Sequence, residues 1–282
     1  TNLDSISPTW TLKQTMTQVE ASMGDTNDGI TRIVGSIEQS GRFTALCRKT
    51  PGSRIGFTAT TTNNGDTWLY NQVRGTANTY GAIDYCEHSG GQKIIVGNSD
   101  SGTDALYISI STNGGASYTS TAMGFNGVAF DLLCPYGGNS DDNIFYFVAV
   151  DNDLVLKSID NGITWSNITP SGFTAAANSF QAYIIGDATT LYVTGCDTVS
   201  PLWKSIDGGA SWVKVNSDLG TNASKLGLWP YNSDYIYMTQ QNGGPYFSTN
   251  GGVSFASKQG NWTSAIGSIS GAIQVVPVWT SG

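Results

Sequence analysis

Charge is the scarcest property of this chain. Charged residues make up 12% of 282, about half the usual share for soluble domains. Only 13 residues are basic and they form no cluster, so the chain lacks the patch that displaces counterions from nucleic acid. The formal net charge of −8 argues against an anionic membrane surface. No apolar run approaches the roughly 20 residues that span a bilayer, so membrane insertion is not expected. No signal-peptide pattern opens the chain. Histidine occurs once, as His88 in a Glu-His-Ser-Gly-Gly turn, and no Ser-centred elbow accompanies it; a His-based triad or metal site is therefore unsupported. The four cysteines, Cys47, Cys86, Cys134 and Cys196, form no CxxC pair. That argues against zinc, and buried free thiols are expected ahead of disulfides. Two oxygen-rich stretches, Asn98–Asp104 and Asp141–Asn143, miss the spacing of a calcium loop. No metal or cofactor is expected.

Glycine, by contrast, is plentiful at 35, and Thr, Ser and Asn crowd the spaces between short apolar runs. That pattern suggests many short strands joined by tight turns. Within it five octapeptides share one design: Thr61–Trp68 (TTNNGDTW), Ser111–Tyr118 (STNGGASY), Ser158–Trp165 (SIDNGITW), Ser205–Trp212 (SIDGGASW) and Ser248–Phe255 (STNGGVSF). The consensus is S/T-x-D/N-x-G-x-S/T-aromatic. The Asp or Asn side chain is suited to accept backbone N–H groups further along, as in an Asx turn. The Gly supplies the positive φ of a hairpin turn, and the flanking hydroxyls tie the strands. The aromatic enters the next strand, placed to pack on a neighbouring sheet.

These octapeptides resemble the Asp-box (bacterial neuraminidase repeat) of a propeller family that includes sialidases, xyloglucanase-type glycosidases, sortilin-type receptors and a photosystem assembly factor. The resemblance implies an all-β propeller whose boxes close the hairpin between the third and fourth strands of each blade, on the rim away from the ligand face. The boxes begin 43 to 50 residues apart, room for about four short strands each. A worn copy ends at Thr9-Trp10, and the arc through the two termini is about two blades long. We therefore expect one domain over residues 1–282, a six-bladed propeller whose last blade is shared between the N- and C-termini. Residues 262–269 and 272–279 would supply its first two strands, and 2–7 and 9–16 the others. Seven blades is the alternative. A second repeated feature, an apolar run into Pro-Tyr, occurs at Leu133–Tyr136 and Leu228–Tyr231.

The resemblance also invites tests for chemistry. The sialidases it includes bind a carboxylate with three arginines from well-separated blades, but this chain has no arginine after Arg74. A glycosidase needs two carboxylates, one protonated and one ionised. Glutamates are few (Glu20, Glu38, Glu87), whereas aspartates are common. Asp100 and Asp104, Asp151 and Asp153, and Asp197 fall in loops between second and third strands, which should open opposite the boxes. Aspartate in a Gly/Ser/Asn turn is also an ordinary turn residue. The glycosidases of that type further resemble two propellers in one chain, and this is a single ring. Tyr70, Tyr80 and Trp262 lie near segments leading from blade to blade and are placed for sugar stacking; Trp203, Tyr246 and Phe247 read as blade packing.

The sequence reading therefore favours an exposed non-catalytic module for adhesion, glycan or receptor binding, or structural assembly, more a binder than an enzyme. It would act outside the cell or on a virion surface with a glycan or protein partner. Its candidate ligand residues are Asp100, Asp151, Asp153, Asp197, Tyr80 and Trp262, with no catalytic or metal residue assigned. The alternatives are a glycoside hydrolase using paired aspartates, and an assembly factor resembling the photosystem one.

Overall fold

Each octapeptide closes into the same hydrogen-bonded hairpin. The first hydroxyl (Thr61, Ser111, Ser158, Ser205, Ser248) donates to the Asx Oδ1 at 2.7–3.0 Å. The same oxygen accepts the amide of the box glycine at 2.8–2.9 Å. The Asx Oδ1 then accepts the amide of the seventh residue at 2.8–3.1 Å. Two consecutive residues turn left-handed: the box glycines lie at φ 77° to 89°, and the residues before them, Asn64, Gly114, Asn161, Gly208 and Gly251, at 56° to 67°. That fourth position is thus confined in practice to Asn or Gly, the residues that tolerate positive φ.

The computed structural model describes residues 30–36, 39–48, 56–74, 78–86, 92–100, 102–135, 143–174, 182–187, 189–195, 201–216, 219, 223–229, 232–240 and 245–257. They form five antiparallel sheets of four strands, each a simple meander in chain order. The first blade holds β1 (Ile30–Gly35), β2 (Phe43–Arg48), β3 (Gly56–Thr61) and β4 (Leu69–Gln72). The second holds β5 (Asn78–Cys86), β6 (Lys93–Asp100), β7 (Ala105–Ser111) and β8 (Thr119–Asn126). The third is β9 (Val128–Leu133), β10 (Phe145–Val150), β11 (Leu154–Ser158) and β12 (Ser166–Asn167). In the fourth are β13 (Ala182–Gly186), β14 (Leu191–Gly195), β15 (Leu202–Ser205) and β16 (Val213–Asn216). The fifth has β17 (Ala223–Trp229), β18 (Asn232–Gln240), β19 (Pro245–Ser248) and β20 (Ala256–Ser257). Every octapeptide joins the third strand of its blade to the fourth. Both Pro-Tyr runs leave a first strand, β9 or β17.

The first strands touch in succession, β1 to β5 to β9 to β13 to β17, so the sheets stand side by side around a common inner edge. This is the propeller arrangement. Second strands lie in the middle of the sandwich: β10 and β14 are buried along their whole length. Fourth strands are largely exposed, as in β8 and β12. The alternation of a strand explains how one sheet serves two neighbours. Phe145, Phe147 and Ala149 of β10 pack with Ile95, Leu106 and Ile108 of the second blade. Tyr146, Val148 and Val150, on the other face, pack with Ile184, Leu191 and Val193 of the fourth. Full burial of side chains of this size contributes about 1.5–3 kcal/mol each. The box aromatics join these seams: Trp165 in the second-to-third, Trp212 in the third-to-fourth, Tyr118 in the first-to-second and Phe255 in the fourth-to-fifth. Trp203 and Tyr246 are packing residues, as expected, and Phe247 lies against Tyr235 and Tyr237 with ring centroids 5.6 and 4.7 Å away.

Cys47 and Cys134 are buried thiols. The expected sixth blade, built from both termini, lies outside the described residues, as do Cys196 and His88.

Candidate functional site

In a four-stranded meander the loops between second and third strands open on one face, together with the connections from blade to blade. The octapeptide turns occupy the other. Hydrogen bonds fix this assignment at both ends. On the turn face, the fourth residue of each octapeptide donates its amide to the carbonyl at the start of the hairpin's inner neighbour; Gly114 N–H to Gln92 O, at 2.8 Å, is one of five such bonds. On the opposite face, Gly127 in the connection from β8 to β9 donates to Asp104 O at 2.7 Å. Asn152 Nδ2 donates to Asn126 O at 2.8 Å. The Asp100–Asp104 and Asp151–Asp153 loops, on adjacent blades, are thereby drawn to one connection.

Asp100 closes β6, Asp151 follows the last residue of β10, and Asp197 comes two residues after the end of β14. Asp100 and Asp151 thus stand within one residue of the same strand end in adjacent blades, and Asp197 lies outside the described residues. Asp104, Asp151 and Asp153 adopt positive φ of 55°, 76° and 51°, a conformation Asp tolerates better than most residues.

The carboxylates differ in surroundings. Asp100 Oδ1 accepts the amides of Gly102 and Thr103 at 3.0 and 3.3 Å. The Gly102 amide chiefly holds its pKa below the ordinary value, and Arg74 adds to the effect. Asp151 is displaced upward, first by partial burial and then by the negative charge of Asp104. The blade boundary therefore carries two carboxyl groups displaced in opposite directions, Asp151 upward and Asp100 downward. Beside them the Arg74 guanidinium stacks 3.5 Å above the ring of Tyr107. Among the described residues no group of three His, Cys, Asp or Glu is placed to hold a metal ion.

Of the other sequence candidates, Tyr80 belongs to β5, opposite Asn98 of β6, while Trp262 lies outside the described residues. Tyr70 packs against Ala45, Cys47 and Ala59. Sequence reasoning missed the coupling of Asp104 to Asp151 and the stacking of Arg74 on Tyr107. Both join residues of different blades, and no local motif announces them.

No family model matches the chain. A xyloglucanase of Paenibacillus sp. is 29% identical in an alignment 203 residues long that covers 57% of this chain and 20% of that protein. A GH74 enzyme of Niastella koreensis superposes with a TM-score of 0.63 at 19% identity, covering 82% of this chain and 38% of its own. The GH74 xyloglucanase of Xanthomonas campestris gives 0.60 at 13% identity, over 84% of this chain and 40% of its own. The solved structures establish the propeller fold. The chain spans about a fifth of its curated relative and about two-fifths of these solved chains.

The similarity to a xyloglucanase corrects the expectation of a non-catalytic adhesion or structural module; it favours the glycoside hydrolase alternative. The physical reason for the error is that the turn-forming chemistry of aspartate and its proton-transfer chemistry use the same residue in the same polar loops. The octapeptides, which dominate the sequence signal, carry only the former.

Proposed function

We propose that this chain is an Asp-box propeller module of a glycoside hydrolase acting on a xyloglucan-class polysaccharide. The observation that carries this reading is the Asp104–Asp151 relationship on the face opposite the turns, taken with the similarity to a xyloglucanase. Glycoside hydrolysis needs one carboxyl group protonated, to assist the leaving oxygen, and a second ionised. Asp151 is the proposed acid and Asp104 the second carboxyl group beside it. Asp100, Asp153 and Asp197 supply further acceptors for sugar hydroxyls, with Tyr80 and Trp262 as proposed stacking surfaces. Such a role would place the protein outside the cell with a glycan partner. The single-ring objection loses its weight here, because the similar enzymes are matched over only part of their length.

Incubation with xyloglucan and a panel of other polysaccharides, followed by reducing-end detection, tests the proposal. Release from xyloglucan is expected, falling at least about 100-fold in Asp151→Asn, the scale of a lost general acid. No release from any member of the panel, or release unaffected by Asp151→Asn and Asp104→Asn, would sink it. Retained xyloglucan binding in an inactive chain would leave a binding module in its place.

A further inference from the structure

Six Asn–Gly steps occur in the chain, at Asn64, Asn113, Asn126, Asn161, Asn242 and Asn250. All but Asn242 lie in described residues. Asn–Gly is the dipeptide most prone to spontaneous deamidation, because glycine leaves its own backbone nitrogen sterically open. In that reaction the glycine nitrogen loses its proton to solvent and attacks the Asn Cγ. The Cγ–Nδ2 bond breaks and ammonia leaves, giving a five-membered succinimide. Water then opens the ring at either carbonyl, yielding aspartate or isoaspartate.

Every one of the five attacking nitrogens is already engaged as a donor. Gly65 N–H is bound by Thr61 Oγ1 at 2.9 Å and Gly162 N–H by Ser158 Oγ at 2.8 Å. Gly114, Gly127 and Gly251 donate to the carbonyls of Gln92, Asp104 and Asp234 at 2.8, 2.7 and 3.0 Å. The leaving amides of Asn113 and Asn250 are also held, each donating to a serine Oγ (Ser117 or Ser254) at 2.9 Å. A bonded N–H is a poorer acid, and the turn prevents the rotation that would bring nitrogen to Cγ.

We propose that these five steps are deamidation sites gated by the fold: closed while each glycine amide keeps its acceptor, and open to modification when the local hairpin or connection opens. The products differ in consequence. Aspartate at 113 or 250 would match Asp160 and Asp207, which fill the same octapeptide position. Isoaspartate inserts a methylene into the backbone and cannot keep the two left-handed residues in register, so the modification would be irreversible damage to a turn.

Peptide mass spectrometry after prolonged incubation at mildly alkaline pH, with the protein folded or unfolded in urea, tests the gate. Deamidation at the five steps is expected to be at least about tenfold slower in the folded protein, since reaction must await local opening. Ser158→Ala removes the acceptor of Gly162 and should accelerate Asn161 alone; Thr61→Ala should do the same for Asn64, and serves if the first variant fails to fold. Equal rates in folded and unfolded protein overturn the proposal. So does a folded variant in which the targeted step is unchanged, or in which all five accelerate together.

Discussion

Gly97 and Phe147 meet across the seam between the second and third blades, so closely that a β-carbon on Gly97 would lie 2.2 Å from the Phe147 ring. The ring cannot easily withdraw. It is fully buried, with Trp165 edge-on at 6.1 Å between centroids. Gly97→Ala is therefore expected to destabilise the protein by about 1–3 kcal/mol through overpacking. Phe147→Leu in the same chain should recover part of the loss. Thermal or urea unfolding of the two single variants and the double variant measures this, and additive losses would contradict the stated cause.

The octapeptides use Asn and Asp interchangeably, for a reason visible in one hydrogen bond. Where the residue is Asn113, its Nδ2 donates to Ser117 Oγ at 2.9 Å; where it is Asp207, Ser211 Oγ donates to the carboxylate at 2.5 Å. A hydroxyl can serve either way round. Asn113→Asp should thus change stability by no more than about 0.5 kcal/mol, whereas Asn113→Ala should cost about 1–2 kcal/mol by abandoning the side chain's bonds with Ser111 Oγ, the Ser117 amide and Ser117 Oγ. Urea midpoints compared at neutral pH decide it.

Acid should loosen the Asp turns first. Hydrogen bonds from Ser211 hold Asp207 down to about 2, from an ordinary 3.8, and Thr164 lowers Asp160 in the same direction. A depressed carboxylate contributes stability that is present above the unfolded value and is lost as pH falls toward the folded one. The melting temperature of the native protein should drop between about pH 4 and pH 2. An Asp160→Asn/Asp207→Asn variant should lose less over the same interval. An identical slope in both would refute this.

The opposite displacement at Asp151 gives a direct probe of the candidate site. Its pKa is raised by partial burial and by Asp104, so Asp104→Asn should lower it toward the ordinary carboxylate value without abolishing the burial contribution. Carboxyl-carbon NMR titration of both proteins reads this directly. An unmoved Asp151 would mean that the two loops do not share an electrostatic environment.

Much of the fold was legible in the octapeptides, because each carries its own reason to turn. The positive φ of Gly65, Gly115, Gly162, Gly209 and Gly252 and the seam positions of the aromatics follow from single residues. The fourth octapeptide position was legible too but unread: Asn or Gly occurs there in all five copies, which is the mark of a second left-handed residue. The candidate site was legible only as loops. Strand order alone puts Asp100, Asp151 and Asp153 at the ends of strands on the face opposite the octapeptide turns. Asp100 is lowered chiefly by its own loop, whereas the upward displacement of Asp151 depends on its burial and on Asp104 of the neighbouring blade. Residues such as Asp104 and Asp151, a whole repeat apart, announce no such relationship in sequence.

The double burial of β10 has a thermal consequence. Its two side-chain rows belong to different seams, so pulling one blade loose exposes the flanks of both neighbours at once. Each inner blade is thus coupled to both of its neighbours. The inner blades should therefore melt in a single cooperative transition, with calorimetric and van't Hoff enthalpies in agreement over that region.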